Sequence, residues 1–89
     1  MPAIAPESPL IVEEVLLRWG YVVLFKDEFV CTMVKKGTKE RPLCIPQDVD
    51  ELGGIALDVM QQLLIDAKIP LGDYFIILNQ VKAALFPTT

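Results

Sequence analysis

The chain contains no histidine. That absence removes the commonest general base near neutral pH, and with it every Ser-His or Cys-His nucleophile pair. Cysteine is scarce too: Cys31 and Cys44 are the only two, and without a histidine they cannot supply four zinc ligands within one chain. Both lie inside apolar runs, so two small buried thiols in a reducing cytosol are expected, with a redox pair or disulfide as the less favoured alternative. No run approaches the roughly 18 consecutive apolar residues of a membrane span, so no membrane association is expected. Positive charge is in deficit, eight Lys and Arg against twelve Asp and Glu, for a net charge of −4. Nucleic-acid binders rely on the opposite balance, which leaves RNA disfavoured unless a local patch overrides it. Neither a P-loop nor a dinucleotide-binding glycine pattern is present; Gly53-Gly54 reads as entry to a helix rather than an anion cradle. No cofactor is expected.

What is present is apolar. Hydrophobic residues make up 53 % of the 89 positions, slightly above the usual share for a globular chain. A chain this short forms one domain. Its single small core cannot hide so much apolar surface, so a homo-oligomer, most simply a dimer, is expected. Residues 1–7 lack the basic flank and apolar stretch of a secretory signal and read as a flexible arm before a folded core over 8–86, in the cytoplasm.

Ser8-Pro9 marks a helix start, a capping hydroxyl followed by proline at the first helical position. The helix runs through Leu10, Ile11, Val12, Val15, Leu16, Leu17 and Trp19, and Gly20 ends it as a left-handed cap. Three strand-like runs follow: Tyr21 to Phe25, Phe29 to Lys35 and Arg41 to Ile45, separated by Lys26-Asp27-Glu28 and by Lys36 to Glu40. The second alternates, with Phe29, Cys31 and Met33 on one face and Val30, Thr32 and Val34 on the other. Both sets are largely apolar, which points to an interface on the face the helices leave open. Pro42 suits an edge strand. Ile55, Ala56, Val59, Met60, Leu63, Leu64 and Ala67 then keep helical spacing, and Pro70 separates them from a last apolar helix over 74–85. The expected fold is α+β, in the order α-β-β-β-α-α, a three-stranded antiparallel sheet with helices on one face.

Three clusters bear on chemistry. Asp48, Asp50 and Glu51 lack the spacing of a calcium loop and read as a solvated acidic approach to a helix. Lys35, Lys36, Lys39 and Arg41 gather around the second turn. They are either a phosphate-contacting patch or charges that discourage edge-to-edge pairing, and the acidic balance favours the second. Trp19, Tyr21, Phe25 and Phe29 are either a base-stacking platform or core, and core is the expectation. The apolar residues Phe75, Ile77, Leu78, Val81 and Leu85 of the last helix are the expected subunit interface.

The order of elements, the Trp19-Gly20-Tyr21 junction, the strand end Ile45-Pro46 and the helix closing with Ala67-Lys68-Ile69 resemble the HicA-like (YcfA-type) mRNA interferase toxins. That resemblance, spanning about residues 10 to 78, implies a double-stranded-RNA-binding-domain-like fold and a toxin–antitoxin setting. The family's catalytic histidine sits at the start of its second strand, where this chain has Asp27-Glu28-Phe29-Val30. The resemblance thus implies a scaffold without its nuclease chemistry: a self-associating or partner-binding module. The alternatives are an endoribonuclease that uses Asp27 or Glu28 as base, or non-cleaving RNA binding through the basic hairpin.

Overall fold

A computed structural model describes residues 4–37, 39, 41–47, 49 and 53–86. Helix α1 spans Pro9–Arg18. Ser8 caps it, its hydroxyl oxygen accepting from the Ile11 N–H at 3.4 Å, and Gly20 leaves it at φ +105°, a conformation that only glycine adopts without strain. Ile11, Val12, Val15 and Leu16 form its buried stripe.

The chain then folds into the strands β1 (Tyr21–Lys26), β2 (Val30–Lys35) and β3 (Leu43–Pro46), in one antiparallel sheet of order β1-β2-β3. Facing residues of an antiparallel pair share a face. Cys31 faces Ile45 and Met33 faces Leu43, and all four are buried. On the opposite, outer face Val22 lies against Val34, and Thr32 against both Phe25 and Cys44. The register shifts between Val23 and Phe25, a bulge that takes up Leu24 as an extra residue.

Helices α2 (Leu57–Asp66) and α3 (Leu71–Leu85) complete the order α-β-β-β-α-α of an α+β domain. Helix α1 packs on β1 and β3, α2 on β3, and α3 on α1, so the helices gather over the inner face. Lys68, at φ +58°, turns the chain out of α2 and Pro70 opens α3. Among the described residues no helix is long and apolar enough to cross a membrane.

The segment before α1 is built into this body. Ile4 packs against the core, the Glu7 carbonyl accepts from the Ile55 N–H at 2.8 Å, and the Glu7 carboxylate meets Lys82 of α3 at 3.0 Å. A Cβ on Gly54 would stand 2.8 Å from Pro6 Cβ, so the strap depends on a glycine beneath it.

Three sequence expectations need correction. Strand β3 starts at Leu43, after Pro42 rather than through it, because proline offers the ladder no N–H. Cys44 is exposed on the outer face, and only Cys31 is buried; a strand inside an apolar run still alternates. Phe25 and Phe29 are not core: they are 56 % and 67 % exposed, whereas Tyr21 is buried. The bulge moves Phe25 to the outer face, and Phe29 lies in the hairpin turn ahead of β2.

Candidate functional site

Strand β1 is an edge of the sheet, and after Tyr21 every one of its residues is exposed. Val22, Val23, Leu24 and Phe25 follow one another there, with Leu24 64 % exposed. Phe29 extends the patch. An edge strand leaves every second N–H and C=O without a ladder partner, so apolar side chains and unpaired backbone groups coincide along this edge.

The hairpin that ends β1 is held from within. Asp27 Oδ1 accepts from the Phe29 and Val30 N–H groups, both at 2.8 Å, which fixes the turn and throws Phe29 outward. Lys26, the one charge in β1, reaches Glu13 of α1 at 2.9 Å; the hydrogen bond to that carboxylate and its negative charge raise the lysine's pKa. The other Glu13 oxygen lies 3.9 Å from Cys31 Sγ. Burial, with the Glu13 charge second, pushes the Cys31 thiol up and keeps it in the unreactive form. The charge that could have guarded the edge is thus turned toward α1.

The basic residues around the second turn have different surroundings. Lys35 stands over Trp19, its ammonium 5.4 Å from the ring centroid. Lys36 is exposed in the turn. Lys39 and Arg41 line a recess with Leu43, Asp66 and Lys68. Lys68 was not legible as part of this group, since its sequence neighbourhood is the end of a distant helix.

The expected interface on α3 is largely spent inside the molecule. Leu78 and Val81 are core residues, 7 % and 1 % exposed, and that expectation is corrected for both; α3 buries them because it packs on α1. Phe75 and Ile77 are half-buried against the same core, the Phe75 ring 5.3 Å from that of buried Tyr74. Leu85 stays at the exposed margin. A separate apolar recess of about 300 Å³ lies among Ile4, Leu64, Ile65, Ile69 and Leu71. Asp48, Asp50 and Glu51 lie outside the described residues. Among the described residues no cluster of three or more His, Cys, Asp or Glu could hold a metal ion.

Comparison with protein-family models, with curated proteins and with solved structures finds no match for this chain.

Proposed function

We propose that this chain is a non-catalytic protein–protein interaction module of the cytoplasm, built on a HicA-like scaffold and working through the β1 edge and the outer face of the sheet. The observation that carries this reading is the continuous exposed apolar stretch from Val22 to Phe25 along the β1 edge, joined by exposed Phe29, with Val22 and Phe25 on the outer face of the sheet. An apolar patch of this kind on a small domain marks a contact surface. The order α-β-β-β-α agrees with the scaffold that the resemblance implies. The missing histidine and the commitment of the Asp27 carboxylate to the turn both weigh against the nuclease alternative.

The test is site-specific photo-cross-linking in cells, with benzoyl-phenylalanine placed at Leu24 or Phe29 and, as control, at Ile65 on α2. Covalent protein adducts from positions 24 and 29 are expected, in excess of those from 65. Their absence overturns the reading. RNA binding without cleavage is the second reading, favoured by the recess that Lys39 and Arg41 share with Lys68. It requires RNA affinity that falls steeply with salt and is lost in an Arg41→Glu variant.

A further inference from the structure

We propose that the occupant of the β1 edge is β1 of a second copy, paired antiparallel about a two-fold axis to give a continuous six-stranded sheet. This rests on reading the edge as an interaction surface, and it names the partner.

The two edges of the sheet differ. Strand β3 is four residues long, with Pro46 as its last residue and Pro42 just before it, and proline interrupts ladder pairing. Strand β1 has six residues, no proline, and its single charge held by Glu13. It is the edge able to accept a neighbour.

The bulge makes that edge self-complementary. In a regular strand Val22 and Phe25, an odd number of positions apart, point to opposite faces. Here both lie on the outer face, opposite Val34 and Thr32 of β2. When β1 is laid antiparallel on its own copy, Val22 meets Phe25 and Phe25 meets Val22, while Tyr21 and Lys26 face each other on the inner side. A two-fold interface requires this property, that the same patch match itself when reversed.

The charges at the two ends agree with the same direction of pairing. Exposed Arg18 closes α1 just before β1, and exposed Glu28 stands just after it. Antiparallel copies bring Arg18 of each chain to the end where the other carries Glu28, forming two opposite-charge contacts. Parallel copies set like charges together. With −4 on each chain, local complementarity is what lets two copies approach. Val22, Leu24, Phe25 and Phe29 leave on the order of 400 Å² of apolar surface open, about half of the roughly 800 Å² a standard interface buries per partner. An interface of this size falls in the class of weak, transient contacts.

Sedimentation of the full chain from roughly 1 to 500 µM tests this across the range where micromolar association shows. The mass is expected to rise from the 9.9 kDa of one chain toward twice that value. Leu24→Lys, at a position whose side chain is exposed, should keep the helical and sheet circular dichroism and stay monomeric throughout. Arg18→Glu should weaken the dimer about tenfold or more, and Arg18→Glu combined with Glu28→Arg should restore it. A monomer at the highest concentration, or a dimer indifferent to Leu24→Lys, overturns the self-pairing. If that monomer still forms adducts from positions 24 and 29 with other proteins, the interaction reading stands and only the choice of partner fails; no adducts at all removes both.

Discussion

Tyr74 carries a cost that the fold does not recover locally. It is 1 % exposed, and its hydroxyl has no hydrogen-bond partner among the described residues. Burial, and then the negative charge of Glu7, push its pKa up to about 12. A folded-state pKa raised above the unfolded value means that the folded chain holds this proton more tightly. The corresponding stability is complete below pH ~10 and is lost as pH rises through the folded pKa. Tyr74→Phe should leave stability at pH 7 unchanged or raise it by about 1 kcal/mol, because an orphan hydroxyl is removed. Between pH 9 and 11 the wild type should lose more stability than the variant, by on the order of 1 kcal/mol. Urea titrations of both proteins at the three pH values measure this. A substantial loss for the variant at pH 7 would show that the hydroxyl has a partner.

At the scale of elements, what could be read in the sequence was whatever rests on local chemistry. The Ser8-Pro9 start and the Gly20 exit of α1 could be placed because a cap and a positive-φ turn need particular residues. The three strands and the two later helices followed from apolar spacing and from the turn residues between them. Which side of the sheet would be buried did not follow, since both alternating sets of β2 are apolar and periodicity cannot choose between them. The bulge at Leu24 left no trace in the pattern, and so Phe25, expected in the core, lies exposed on the outer face. The segment from Ile4 to Glu7 has no periodicity, yet it ties to Ile55 and Lys82, residues about 50 and 75 positions away. Its dependence on Gly54 can be checked directly. Gly54→Ala places a methyl 2.8 Å from Pro6 Cβ and 3.2 Å from the Pro6 carbonyl carbon, so the strap backbone must move. A destabilisation of about 1–3 kcal/mol in thermal or urea unfolding is expected. Gly72→Ala is the control, because a Cβ there meets nothing within 4 Å.

For the molecule as a whole, the excess of apolar residues was legible from composition, whereas its location was not. The sequence pointed to α3 as the contact surface, and the packing of α3 on α1 consumes Leu78 and Val81 instead. What remains outside is spread over the helices and β1, and only on β1 do four exposed apolar residues, Val22 to Phe25, follow one another. Contacts within one element could be anticipated from spacing; the competition among elements for a single core could not, because it is settled only when all six are assembled.

The placement of Trp19 gives the molecule a built-in optical gauge. It is the sole tryptophan. Its indole N–H donates to the Ala67 carbonyl at 3.1 Å, at the end of α2, and its ring lies beneath the Lys35 ammonium at the end of β2. One fluorophore thus touches the first helix, the second helix and the middle strand at once, and its emission should change when any of the three comes away. The red shift of that emission on heating should coincide with the loss of far-ultraviolet circular dichroism, as an all-or-none transition requires. An emission change that runs ahead of the dichroism would show α2 leaving the sheet first.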